Sequence, residues 1–444
     1  MSKTSEQKTC VPKRRFPEFW DAGAWDYPVL EKVYTFKVTN SFSREKLNYE
    51  KGTVKNIHYG DIHTKFSTLF DITKEKVPFI NPDQEIGNIK QENYCLEGDV
   101  IFADASEDMD DIGKSIEIVN LNNEKLLAGL HTLLARQIKP RLVTGFAGYL
   151  FKSRNVRIQI QKEAQGAKVL GISAGRLSNI KLPIPHITEE QQKIADCLSS
   201  IDDLITAQGK KVEALKDHKK GLMQQLFPAE GQTRPATRFP EFQDAGDWEE
   251  KPLGKIAKVL QGSGFPTQYQ GNINAEYPFY KVSDISNSIQ KGENHIKEAA
   301  NYIDEAIREK LKAKLIPVGT TIFAKIGEAI RLNRRVMTTE PCLIDNNVAG
   351  LKRIKSETID LFIYYTMLRI DLADHCGGAV PSINKTTLEN ILIVCPEIPE
   401  QERIADCLSS IDDLITAHTK KLDALKDHKK GLMQQLFPSA DDMD

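Results

Sequence analysis

The chain has 444 residues, 40% hydrophobic and 27% charged, with a formal net charge of −2. That length exceeds one ordinary core, that balance is globular and not disordered, and near-neutrality leaves DNA binding to local basic patches. Seven cysteines with no CxxC pair argue against a disulfide framework and a structural zinc site.

The opening MSKTSEQKTC is polar and lacks the apolar stretch of a secretory start. Next comes RFPEFWDAGAW, from Arg15 to Trp25, which returns 223 residues later as RFPEFQDAGDW from Arg238 to Trp248. Two of the three tryptophans, Trp25 and Trp248, hold the matched position, which points to packing.

In the first middle segment, DVIFADAS (99–106), SIEIV (115–119) and NVRIQIQ (155–161) have strand character. The last does so through the period-two spacing of Val156, Ile158 and Ile160. Tyr59, His63 and Lys65 fall in an expected loop, and Lys152, Arg154 and Arg157 follow FAGYLF. DIGKS at 111–115 ends like a phosphate loop, but the early glycine of that motif is Asp108 here. INPDQE at 80–85 is the nearest approach to a methyltransferase Asn/Asp-Pro-Pro-aromatic motif and has one proline and no aromatic, so no catalysis is expected in this chain. The apolar run LLAGLHTLLA at 126–135 is too short and interrupted to span a bilayer. A cytoplasmic protein with no membrane contact is expected.

IADCLSSIDDLITA then appears at Ile194 and again, identical, at Ile404. The identity extends through ALKDHKKGLMQQLFP at 214–228 and 424–438. Ile194, Leu198, Ile201, Ile205, Val212, Leu215, Leu222 and Leu226 follow a heptad seam broken only at Gln208 and Lys219. Ile404, Leu408, Ile411, Ile415, Leu422, Leu425, Leu432 and Leu436 repeat it. Thr188 with Gln191 offers a capping box, and Pro399 suits a first helical turn. Each copy predicts a helix of roughly 60 Å. An apolar seam of that length needs a partner, and two copies in one chain can pair antiparallel about a pseudo-twofold. The linker AEGQTRPAT at 229–237 corresponds to the tail after Pro438 joined to the residues before Arg15, so the termini are expected near each other.

The second middle segment reads as strands at YPFYKVSDI (277–285), TTIFAKI (320–326) and NVAGLKRI (347–354), with a helix at LFIYYTMLRIDLADH (361–375). Lys325, Arg331, Asn333, Arg334 and Arg335 crowd a strand and the loop after it, and Lys281 lies within YPFYKVSDI. Both middles close alike, ISAGRLSNIKLPIP and INKTTLENILIVCP, so two heads of one α+β fold with different surfaces are expected.

The repeated helices, the order of parts and the head motifs YGDIHTKF, GFPTQYQ…YPFYKVSDI and IFAKIGEAI…IDNN resemble the specificity subunit of type I restriction-modification enzymes. The resemblance covers Arg15 to Pro438, except that the first head lacks the Gly-Ser-Gly opening of Gly262 to Gly264, which sets the two head starts apart. It implies an N-terminal segment (1–29), a first target recognition domain (30–186), a central region with long helix and linker (187–252), a second recognition domain (253–396) and a C-terminal helix and tail (397–444). It also implies that each domain reads half of an asymmetric double-stranded DNA site, with Tyr59, His63, Lys65, Lys152, Arg154 and Arg157 as candidate DNA contacts of the first head and Lys281, Lys325, Arg331, Asn333, Arg334 and Arg335 as those of the second. The helices would set the spacing and dock two methyltransferase subunits, with restriction/translocase subunits joining. S-adenosylmethionine, ATP and Mg would then belong to the partners, with no cofactor or metal in this chain. The competing expectation is a stand-alone coiled-coil DNA-binding or scaffold protein without a methyltransferase partner.

Overall fold

The structure, a computed structural model, describes residues 10–438. The chain divides into two compact units, Met1–Thr206 with Asp423–Asp444, and Ala207–Leu422. Two helices, Thr188–Leu226 and Ile398–Leu436, each begin in one unit and end in the other.

In the first unit, a five-stranded sheet runs in the order Tyr34–Lys37, Thr132–Gln137, Val100–Ala103, Ser115–Asn120, Leu69–Asp71, antiparallel except for the last pair. Val100 to Ala103 are all buried, as a central strand covered on both faces requires. A smaller sheet pairs Leu47–Asn48, Phe79–Ile80, Lys55–Ile57 and Leu126–Ala128. Trp25 packs edge-on against Phe146 and Phe437, and its indole N–H donates to Glu190 Oε1 at 3.2 Å. Arg15 closes a two-bond ion pair on the same carboxylate, 2.7 Å for each bond, so the repeated RFPEF segment clamps the start of the first long helix. The buried Glu117 carboxylate accepts from the backbone N–H of Gly145 (2.8 Å) and Gly148 (2.6 Å).

The second unit repeats the plan: Ala257–Gln261, Val348–Arg353, Thr321–Ala324, Arg335–Thr338, His295–Ile296, again with only the last pair parallel. Trp248 packs on Phe227 and Phe362, and Arg238 pairs with the buried Glu400, Nε to Oε1 at 2.8 Å. The two head starts, different in sequence, share one backbone hydrogen bond. Ser263 N donates to Ile344 O at 2.9 Å and Asn40 N to Ala128 O at 3.0 Å, each in its own unit. Glycine is required at 262 because a Cβ there would lie 1.9 Å from Asp345 O. In the first unit Thr39 stands before Asn40 and donates its hydroxyl to Thr132 O instead.

The helices pair antiparallel. Within the second unit Gln208 donates to His418 O at 2.8 Å and Lys219 meets Asp412 at 2.6 Å, the residue number rising on one helix as it falls on the other. Within the first, Lys429 meets Asp202 at 2.6 Å. Gln208 and Lys219, which interrupt the apolar seam, are thus its polar cross-links. Ile194, Leu198, Ile201, Val212, Leu226, Ile404, Leu408, Ile411, Ile415 and Leu436 are buried; Ile205, Leu215, Leu222, Leu422, Leu425 and Leu432 are half-buried.

Four sequence expectations need correction. NVRIQIQ lies in a helix, Arg154–Glu163, where Val156 and Ile160 are one turn apart and both buried. YGDIHT is a helix, Tyr59–Thr64, because the His58 ring accepts from Gly60 N at 3.2 Å and caps it. The stretch 277–285 is a strand only through Tyr280; Val282–Gln290 is helical, with the Asp284 carboxylate accepting from Lys281 N. Thr188 and Gln191 form no capping box: Thr188 is already helical, and the Gln191 amide bridges Val143 N, Arg141 O and Pro185 O. The expectation of adjacent termini falls on residues 1–9 and 439–444, outside the described residues, although Arg14 N donates to Gln435 O at 2.9 Å.

Candidate nucleic-acid interface

In the first unit the capped helix brings Tyr59 and His63 side by side, ring centroids 6.0 Å apart. His63 Nε2 lies 3.0 Å from Ala105 O, which fixes its ring. Arg44 makes two 3.1 Å bonds to the buried Asp61 carboxylate, and Lys65 reaches the same group at 2.8 Å. The carboxylate therefore holds two cations at the edge of the helix. Burial, with Arg44 beside it, lowers the His58 pKa, which keeps the ring neutral and able to accept its capping bond.

Sequence reasoning missed His131. It precedes the strand Thr132–Gln137 at φ +55°, exposed, with its ring 5.3 Å from Tyr59 and Nδ1 3.2 Å from the Asp104 carboxylate. Histidine is among the few side chains that tolerate that backbone region. Asp104 N donates to His131 O at 3.0 Å. The same backbone bond occurs in the second unit, where Lys325 N donates to Asn347 O at 2.9 Å. Aligning IFAD with IFAK is the signal that would have found this rim. The same bond thus joins aspartate to histidine in one head and lysine to asparagine in the other, and of the two acceptors only His131 has a positive φ.

The remaining candidates separate. Arg154 is exposed at the start of its helix, whereas Lys152 and Arg157 line a recess with Asp110, Asp111 and Lys114. Lys281 Nζ donates to Gln270 Oε1 at 3.0 Å, and Lys325 Nζ donates to Gln261 Oε1. Arg331 is exposed and paired with Glu328 at 3.0 Å, and Arg334 is half-buried. Asn333 is the left-handed residue (φ +51°) that ends the turn Glu328–Leu332. Arg335 is corrected: it is 0% exposed, and its guanidinium donates to Asn333 O (2.6 Å) and Ile370 O (2.8 Å), so it braces the fold and cannot meet a phosphate or base. Among the described residues no group of three or more His, Cys, Asp or Glu is placed to hold a metal, and no helix is long and apolar enough to cross a membrane.

Residues 44–216 and 245–427 each match the type I restriction modification DNA specificity domain. A Methanocaldococcus jannaschii protein named for the specificity subunit of a type I restriction enzyme, MjaX, is 28% identical over 368 residues, 79% of this chain and 81% of the relative. The MjaVIII specificity subunit of that organism is 27% identical over 303 residues, 65% and 69% of the two chains. The crystal structure of the S subunit of a type I restriction-modification system from M. genitalium shares the fold at a TM-score of 0.60 and 13% identity, covering 97% of this chain and 99% of that one. With two copies of the domain spanning most of its length, the chain belongs to the family of type I restriction modification DNA specificity proteins.

Proposed function

We propose that this chain is the non-catalytic DNA-reading subunit of a cytoplasmic type I restriction-modification complex, each head reading one half of an asymmetric double-stranded site. The observation that carries the reading is the matched rim, where the same backbone hydrogen bond joins Asp104 to His131 in one unit and Lys325 to Asn347 in the other. A constant frame with exchanged side chains is what two different half-sites demand, since hydrogen-bonding groups at base edges carry sequence information and phosphate contacts do not. Tyr59, His63, Lys65, Arg154, Lys281, Lys325, Arg331, Asn333 and Arg334 are the proposed contacts from the original set, now joined by His131 and Asn347. The recognition domains are taken as 30–186 and 253–396, between segments 1–29, 187–252 and 397–444. The paired helices set the spacing between half-sites and dock two methyltransferase subunits. Those partners supply S-adenosylmethionine chemistry, and restriction/translocase subunits supply ATP- and Mg-dependent cleavage.

The test is exchange of residues 253–396 for those of another family member, followed by sequencing of the methylated motif made with the partner subunits. One half of the motif is expected to change and the other to stay. A change in both halves, or in neither, rejects the assignment.

A further inference from the structure

Each head carries a second loop, tied by its backbone to the rim. In the first, Ile172 N donates to Asp104 O at 2.9 Å, and Leu170 and Gly171 pair antiparallel with Ser106 and Ala105. Gln165 and Gly171 exchange backbone bonds of 2.9 and 2.7 Å, which closes the residues between them, GAKVL, into a finger. Its turn requires glycine: Gly166 has φ +130°, and a Cβ there would lie 2.0 Å from Val169 O. The second unit repeats the device. Ile383 N donates to Lys325 O at 3.0 Å, Ser382 pairs with Ile326, and Gly377 pairs with Ser382 to close GAVP.

The fingers differ by one inserted residue, Lys168, and by Leu170 against Pro381. Yet each has a valine three residues before the isoleucine that ties it to the rim, Val169 before Ile172 and Val380 before Ile383. Val169 is 53% exposed and Val380 61%. A single exposed apolar side chain is ordinary. The same one at the same place on two heads whose rims differ, aspartate and histidine against lysine and asparagine, is not. Val169 also lines an open recess of about 490 Å³ with Asp104, His131, Gln165 and Arg176, so the first finger stands against the candidate readers. A valine side chain neither donates nor accepts, and so offers nothing to a phosphate or a polar base edge. The apolar group on the major-groove edge of a base pair is the thymine 5-methyl, and small apolar side chains read it. A branched side chain with one stiff torsion makes such a contact with little loss of freedom.

We propose that Val169 and Val380 are specificity-determining residues, each packing on the 5-methyl group of a thymine in the major groove of its half-site. The contact rests on the DNA-reading assignment and gives two otherwise different half-sites one common feature, a thymine under the finger.

The experiment titrates the full chain, with its methyltransferase partner subunits, against duplexes of the methylated motif in which thymines are replaced one at a time by deoxyuridine, which lacks only the methyl. In each half, one replacement is expected to weaken binding by about fourfold, the worth of one buried methyl. Val169→Ala is expected to remove that sensitivity from one half and leave it in the other, and Val380→Ala the reverse. Both side chains are exposed, so the variants are expected to keep the native unfolding temperature. Native binding that is indifferent to every replacement overturns the contacts. So does a pair of variants that bind less tightly yet still discriminate thymine from uracil in both halves, which would put the valines on sugars instead. A complex that methylates no defined motif fails the DNA-reading assignment and this contact with it, whereas a defined motif indifferent to deoxyuridine fails the valine contacts alone.

Discussion

Glu117 titrates in the neutral range because burial pushes its pKa up to about 7 against the pull of the Gly148 and Gly145 amides. Unfolded, it ionises near the ordinary carboxylate value. Between the two values the native state keeps a proton that the unfolded chain has released. Its contribution to stability therefore falls as pH rises through that window and is constant above it. Glu117→Gln mimics the protonated form. From pH 5 to pH 8 the variant is expected to gain on the native protein, by on the order of 3 kcal/mol in urea unfolding; a pH-independent difference counts against a buried titrating carboxyl. Arg238 and Glu400 make the opposite kind of site, a buried pair. Glu400→Ala leaves the guanidinium buried without its partner and is expected to cost about 3–5 kcal/mol by the same measurement. Glu241→Ala, which frees the exposed Arg403, is expected to cost about 1 kcal/mol or less.

At the scale of elements, one lock occurs twice. Tyr149 Oη donates to Asp202 (2.9 Å), which also binds Lys429; Tyr365 Oη donates to Asp412 (2.8 Å), which also binds Lys219. Each lysine also lies over the tyrosine ring, 5.3 and 5.2 Å from the centroid. Head, first helix and second helix are thus tied at one carboxylate in each unit. Asp412→Asn is expected to lower stability by on the order of 1–3 kcal/mol, and Asp202→Asn likewise. The locks share no residue, so the double variant should lose the sum. A combined loss well below the sum in denaturant titration would contradict independent locks.

The long helices were legible in sequence because a heptad seam carried over eight positions has no competing interpretation. NVRIQIQ was not, since Val156 and Ile160 satisfy both a two-residue and a four-residue period, and only the surface that buries them decides. Arg335 was misassigned for a related reason. Its acceptor, Ile370 O, lies 35 residues away, and no local pattern reveals that a basic side chain points inward. Of the candidate interface, Tyr59 and His63 were found by motif, while His131 waited for the backbone bond that matches it to Asn347.

For the whole molecule, the repeat is cyclic in its contacts. Arg14 N donates to Gln435 O in the first unit as Thr237 N donates to Gln225 O, 3.0 Å, in the second. The linker 229–237 thus makes, by covalent continuity, a junction that the first unit makes between distant parts of the sequence. A chain joined from its tail to its start and opened within 229–237 is expected to fold and to bind duplex DNA with its methyltransferase partner. Loss of the folded circular-dichroism signature on such rearrangement would reject the cyclic order.

That the first unit takes its last segment from Asp423 onward also governs its birth on the ribosome. Phe437, which packs against Trp25, follows it by 437 − 25 = 412 residues. The first head therefore cannot finish its core until Phe437 has been made, and until then an apolar face stands open to water. A chain ending near residue 420 would contain both heads yet leave that face uncovered. Completion of the first core is in this way made to wait for the second copy of the long helix.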